Sequence, residues 1–225
     1  MQWHWQVRGD QVTLRPDPVL PGVGEIGFVG RWRPGLPFLD GQPAVRLDQV
    51  HGDRVEEVAT SGVIQTCDGA RTRVPGLVLT VRTADCIPVL LASTEGIALL
   101  HAGWRGLVAG ILENGVRGFQ HPSAVHAVLG PAIGPCCYEV GSEVAARFPA
   151  EALLPGRGER PHLDLMSAAR LRLLAAGLPR TAIHAAPFCT RCHQHRLASS
   201  RGSGGGPDRI IAFATYRPVG TGDSL

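Results

Sequence analysis

The chain has 225 residues, of which 44% are hydrophobic and 18% charged, with 29 glycines, 18 prolines and six cysteines. That is enough apolar material for a cored globular domain, and it excludes wholesale disorder, a collagen-like repeat and dependence on disulfides. The formal charge is only +3, every basic residue is an arginine and no block of like charges occurs, so the basic stripe of a nucleic-acid binder is absent.

Short strands punctuated by Gly and Pro are predicted over residues 3–7, 11–14 and 25–29. A strand over 44–50 delivers His51 at its end. The continuous apolar runs 77–81 and 97–100 read as strands buried on both faces. One helix follows Gly106, with Val108, Ile111, Leu112, Gly115, Val116 and Phe119 on a single apolar stripe. A strand over 124–129 comes next. A helix N-capped by Asp164 then runs to about Ala176, stopped by Gly177 and Pro179. The last strand spans 210–216. Residues 149–161 and 199–207 are the loosest stretches, the second a plain loop or a flap over a site. With no repeat and no long linker, residues 1–225 read as one domain of the α/β (α+β) class.

The start MQWHWQVRGD shows neither a leader sequence nor a lipidation motif, and no apolar run approaches the roughly 18 residues of a membrane span. The expectation is a cytoplasmic protein without membrane or nucleic-acid partners. Its cysteines then read as thiols or metal ligands.

Three segments carry chemistry: QVHGDRV (49–55), TADCIPV (83–89) and HAGWRG (101–106). Each places a metal-capable side chain after a predicted strand: His51, Cys86 and His101. Separations of 35 and 15 residues are unlike a zinc finger and suit a catalytic site, where three ligands converge and water takes the fourth position. The same residues admit a reading without metal, with Cys86 as nucleophile, His101 or His51 as its base and Asp85 orienting the histidine. They also admit a plain one, a buried thiol and two hydrogen-bonded histidines. Gly103 to Gly106 form either a tight strand-to-helix turn or an anion site in which Arg105 clamps a phosphate. In GPAIGPCCYEVG (130–141), adjacent Cys136 and Cys137 chelate poorly and read as loop packing, with Tyr138 and Glu139 as candidate substrate contacts. CTRCHQH (189–195) offers Cys189 and Cys192, half of a second, structural metal site, with His193 and His195 close behind and no evident other half.

QVHG, TADCIPVLL, HAGWRGL and GPAIGPCCYEVG, in this order, closely resemble the bacterial family of polyphenol oxidases (laccase domain) and peptidoglycan editing factors. Its vertebrate relative is a macrophage purine-nucleoside enzyme. The match runs from about Ala44 to Tyr216. The resemblance implies Zn(2+) held by His51, Cys86 and His101. It implies a four-layer α/β/β/α arrangement with mixed sheets, akin to the cytotoxic necrotizing factor-like cysteine hydrolase fold. Activities implied are phosphorolysis of adenosine, inosine, guanosine and methylthioadenosine, and deamination of adenosine, in a cytoplasmic monomer whose partners are a nucleoside and phosphate. Cys189, Thr190 and Cys192 match the family's carboxy-terminal segment. Leu197, Ala198, Ser199, Ser200 and Arg201 replace its aromatic version, which keeps Arg201 as a substrate ligand and removes an aromatic wall for a purine.

Physical chemistry sorts the activities. A multicopper oxidase needs several His-x-His pairs, and only His193–Gln194–His195 has that spacing, which leaves copper as an adventitious ligand. Zinc suits deamination by activating water, with Asp85 moving the proton, and it suits phosphorolysis with Arg105 on phosphate. Two alternatives are an amidase hydrolysing UDP-muramoyl-amino acid precursors and a metal-dependent binding module that is not an enzyme.

Overall fold

The apolar runs pair into two mixed sheets. The computed structural model describes residues 1–8, 11–17, 20–32, 43–156 and 158–218. Strands β1 (Gln2–Arg8), β2 (Gln11–Asp17), β3 (Val23–Trp32), β4 (Ala44–Leu47), β5 (Val55–Glu57), β6 (Gly62–Ile64) and β7 (Gly69–Thr72) lead to the central strands β8 (Val78–Thr83), β9 (Ile87–Ser93) and β10 (Gly96–Ala102). Then follow β11 (His126–Leu129), the short pair β12 (Leu153–Leu154) and β13 (His162–Leu163), β14 (Ile183–Ala185) and β15 (Arg209–Tyr216). One sheet has the order β1-β2-β3-β15-β8-β4-β6 and the other β14-β11-β9-β10-β7-β5. Most neighbours are antiparallel; β4 with β6 and β8, β5 with β7, and β11 with β14 are parallel.

The sheets face each other across a core that includes Phe28, Leu79, Val81, Leu90, Leu99 and Ala212. On its far side the six-stranded sheet buries Ile87, Val89, Leu91, Ala98 and Leu100 against helices α1 (Trp104–Ala109), α2 (Ile111–Val116) and α4 (Leu165–Ala175), with α3 (Ser142–Ala145) joining through Val144. This double burial is why β9 and β10 are apolar at nearly every position. The described residues thus form a helix–sheet–sheet stack of the α+β class. The outer face of the seven-stranded sheet carries a small cluster of Val29, Val78, Ile211 and Phe213 to which no helix contributes. The second helical layer of a four-layer arrangement is therefore not seen among the described residues. Among those residues no helix is long and apolar enough to cross a membrane.

Several expectations shift. Strand β9 escaped the sequence reading because Pro88 stands near its start, where proline argues against a central strand. Strand β4 ends at Leu47, so His51 lies in a loop beyond it. The single helix after Gly106 is two helices: Gly110, at φ 105°, ends α1 and begins α2 while keeping the apolar stripe on one side. Asp164 caps α4 as expected, its carboxylate accepting from the Ser167 N–H at 3.0 Å. The glycine-rich stretch 199–207 is partly helical, α5 (Ser200–Ser203) being capped by the Ser199 hydroxyl, which accepts from the Gly202 N–H at 3.0 Å.

Replacing Gly110 by alanine forces a Cβ into a left-handed conformation and is expected to lower unfolding stability by about 1–2 kcal/mol, read as a reduced urea midpoint at unchanged slope.

Candidate metal centre

The adjoining ends of β8, β9 and β10 bring together Cys86, in the turn between β8 and β9, and His101, near the end of β10. His51 reaches them from the loop after β4. One ligand atom from each of the three lies within 4.8 Å of the others, and the two imidazole centroids are 4.8 Å apart. A tetrahedral zinc with two nitrogens and one sulfur spans edges of about 3.3–3.6 Å, so small side-chain rotations close the triad on an ion. His101 is buried, Cys86 half-buried and His51 exposed, so the solvent side is the natural fourth position.

The residue that organises the centre is Asp68, which is completely buried at the start of β7. One carboxylate oxygen accepts from the His51 N–H (3.0 Å) and meets His101 Nδ1 (2.7 Å). The other accepts from the N–H groups of Val50 (3.1 Å) and Gly52 (2.8 Å). Holding Nδ1 leaves Nε2 of His101 to face an ion, the outer-shell pattern of metal-bound histidines. The same bonds hold His51 at φ 64°, a left-handed backbone seldom adopted outside glycine. No motif marks Asp68, because its role depends on a loop folding over it.

Burial disfavours charge at all three groups, but the bonds win. Burial raises the Asp68 pKa, yet the hydrogen bonds from His101, Gly52 and Val50 leave it below the usual carboxylate value. Burial opposes the Cys86 thiolate, yet His101 and His51 bring that thiol down to about 7. Burial opposes the His101 imidazolium, yet Asp68 and Cys86 push it up to about 9.

The glycines of HAGWRG serve close packing. A Cβ on Gly103 would stand 2.8 Å from the Cys86 sulfur, and one on Gly106 would stand 2.9 Å from the Gly52 carbonyl oxygen. Six-residue α1 therefore lies tight against the centre, and the glycines have a reason other than anion binding.

The other expected residues fall around this centre. Asp85, at φ 87°, is buried, and its carboxylate accepts from the Thr190 hydroxyl (2.6 Å) and the Arg201 N–H (2.8 Å), while its carbonyl accepts from the Ile133 N–H. The metal cavity, about 320 Å³, is lined by Gln49, His51, Arg82, Ala84, Cys86, His101, Ser200 and Arg209. Arg82 and Arg209 were missed; lone arginines carry no spacing signal. Arg105 is not on that wall, its guanidinium lying 4.3 Å over the Trp104 ring. Tyr138 and Arg201 line a second cavity of about 310 Å³ with Trp104 and Glu139, the Arg201 guanidinium 5.2 Å over the Tyr138 ring. Burial and the negative charges at Cys86 and Asp85 push Tyr138 up to about 12 against the pull of Arg201 and Arg105, so it stays a neutral donor. Cys189 and Cys192 meet Cys136 and Cys137, the half-site absent from the spacing.

A mixed-sheet α+β scaffold here presents two imidazoles and a thiol around an open corner, a donor set suited to holding one metal ion. The chain belongs to the multi-copper polyphenol oxidoreductase laccase family, whose model matches residues 36–217. It is 36% identical over 197 residues to the purine nucleoside phosphorylase YlmD of Geobacillus stearothermophilus, covering 77% of this chain and 72% of that protein. It is 42% identical over 167 residues to the purine nucleoside phosphorylase PA4543 of Pseudomonas aeruginosa, covering 70% and 68%. The crystal structure of YlmD from G. stearothermophilus superposes with a TM-score of 0.81 at 29% identity, covering 95% of this chain and 98% of that one. A blue-copper site with a three-copper cluster needs more histidines than converge here: among the described residues the candidate ligand groups are the triad and the four cysteines.

Asp68→Asn removes the charge behind His101 and is expected to weaken metal binding by about 10–100-fold in chelator competition. Because an ion requires the neutral imidazole and His101 titrates at about 9, apparent affinity should climb as pH rises toward that value. Calorimetry in buffers of different ionisation enthalpy should show a proton released on uptake at neutral pH.

Proposed function

We propose that this protein is a zinc-dependent purine nucleoside phosphorylase acting on adenosine, inosine, guanosine and methylthioadenosine, and deaminating adenosine in the same pocket. It works as one domain over residues 1–225, a cytoplasmic monomer whose partners are a nucleoside and phosphate, in the cytotoxic necrotizing factor-like fold that the family resemblance implies. The observation that carries the reading is two arginines, Arg82 and Arg209, lining the cavity that holds His51, Cys86 and His101, with one Arg209 guanidinium nitrogen anchored on the Gly206 and Asp208 carbonyls at 2.8 Å each. The names of the relatives support the same reaction class.

His51, Cys86 and His101 hold the zinc, which when bound supplies a Lewis acid for charge developing in the transition state. Arg82 and Arg209 hold the phosphate, a task for which a planar fork is suited. The backbone of Arg82 is fixed for it by Gln49, whose side-chain amide donates to the Arg82 carbonyl (2.7 Å) and accepts from its N–H (2.9 Å). Trp104 and Tyr138 supply the flat surfaces that the metal cavity lacks, so the purine lies toward the second cavity. Arg105, over Trp104, and Arg201, over Tyr138, add positive charge on that side.

In phosphorolysis a phosphate oxygen bonds to C1′ as the C1′–N9 bond breaks. The base leaves with the electron pair and takes up a proton. Neutral Tyr138 donates a hydrogen bond to it, and Asp85, with one lone pair free on each oxygen, accepts the proton that the attacking dihydrogen phosphate gives up and passes it to the base.

Zinc-loaded protein incubated with inosine or adenosine should release free base and ribose 1-phosphate only when phosphate is present. Arg82→Ala should raise the phosphate KM by about tenfold or more with zinc retained. Absence of phosphate-dependent cleavage by the zinc-loaded protein overturns the reading, and release of free serine from UDP-N-acetylmuramoyl-serine would replace it with the amidase. Asp85→Asn turning over normally with zinc bound sinks the proton role; Thr190→Val, which removes the partner and keeps the acid, separates that role from positioning.

A further inference from the structure

Away from the metal cavity, two loops bring four cysteines to one point. Cys136 and Cys137 come from the turn after β11, and Cys189 and Cys192 from the segment after β14. Their four sulfur atoms all lie within 4.8 Å of one another. The Cys192 sulfur is 3.7 Å from that of Cys136 and 3.5 Å from that of Cys137. A tetrahedral zinc tetrathiolate, with bonds near 2.3 Å, sets its sulfurs about 3.8 Å apart, whereas a disulfide needs about 2.05 Å. Both separations at Cys192 are close to those of the metal complex and far from a disulfide bond.

We propose that Cys136, Cys137, Cys189 and Cys192 form a second metal site, a closed tetrathiolate that takes a divalent cation of the zinc class and acts structurally.

The backbone around the sulfurs suits thiolates. The Gly134 N–H donates to the Cys189 sulfur at 3.3 Å. A Cβ on Gly134 would sit 3.3–3.4 Å from the Cys189 Cβ and the Cys136 sulfur, so the glycine leaves the sulfurs room. The Cys137 N–H donates to the Gly134 carbonyl at 3.0 Å, and this tight turn aims both vicinal sulfurs at Cys192. Adjacent cysteines are poor partners in an extended chain; the turn removes that objection. On binding a dication the four thiols give up their protons to solvent. Cys136 and Cys192 are exposed, which gives an ion its way in.

With four protein sulfurs there is no open coordination position, the mark of a structural site. The ion would clamp the two loops where the backbone already joins them, Ala132 bridging to Cys189 and the Thr190 N–H donating to the Ala132 carbonyl at 3.0 Å. One loop carries Tyr138. The other carries Thr190, whose hydroxyl holds Asp85 beside Cys86. The cluster therefore sets the distance between the wall of the second cavity and the edge of the first.

Protein produced in zinc-supplemented medium and dialysed without chelator is expected to hold about two zinc ions per chain by elemental analysis, one for each ligand group. Cys192→Ser and Cys136→Ser, both at exposed positions, should each hold about one, whereas Cys86→Ala should lose the other and keep the tetrathiolate ion. Cobalt substitution should give strong thiolate-to-cobalt charge-transfer absorption that survives in Cys86→Ala and collapses in Cys192→Ser. Titrating the Cys86→Ala chain, which keeps only the tetrathiolate ion, with a mercurial should release that ion in step with loss of thiol. One ion in the unaltered chain that Cys192→Ser leaves in place overturns the proposal. So does a disulfide among the four cysteines in non-reducing peptide mapping, or an iron–thiolate spectrum in place of bound zinc. None of these readouts depends on nucleoside turnover, so this site and the phosphorylase reading can fail separately.

Discussion

The Asp68 carboxylate is fully buried, and every bond it makes belongs to the metal centre: three N–H groups of the QVHG loop and Nδ1 of His101. A carboxylate buried without partners would cost several kcal/mol. Closure of the loop and the histidine on it offsets that cost. That coupling makes the site part of the fold's own energetics: the loop that presents His51 is held by the group that orients His101. Its backbone strain at His51 is sustained by the same bonds.

Asp85 plays a comparable part at the opposite rim. It too has a left-handed backbone, and it ties the turn before β9 to Ile133, Thr190 and Arg201, residues from three other segments. The two strained aspartate and histidine positions flank Cys86 and His101, which sit on the rigid, doubly buried strands β9 and β10 or at their ends. Precision comes from the strands, and adjustability from the loops pinned to them. Glycine at 103 lets α1 approach the sulfur closely enough that the centre is walled by helix on one side and open to solvent on the other.

The two cavities differ in the chemistry of their walls. The metal cavity is lined by polar and cationic groups without an aromatic face other than its histidines, and the neighbouring one holds Trp104 and Tyr138. A ligand with a charged end and a flat end matches that division.

Much was legible beforehand. Apolar runs marked β8 and β10, a capping aspartate marked α4, and three separated motifs marked the triad, because each is a local pattern of side-chain type and period. Pro88 hid β9, and the left-handed Gly110 divided a helix whose stripe looked continuous, since both effects lie in the backbone. Asp68, Arg82 and Arg209 carry no local mark: a buried carboxylate or a cavity-lining guanidinium is defined by what folds over it. The meeting of Cys136 and Cys137 with Cys189 and Cys192 was hidden for the same reason. Residue identities determine which chemistry the chain can carry; only the tertiary structure decides which of those groups meet, because hydrogen bonds and metal coordination depend on distances of a few ångströms that separation along a chain does not set.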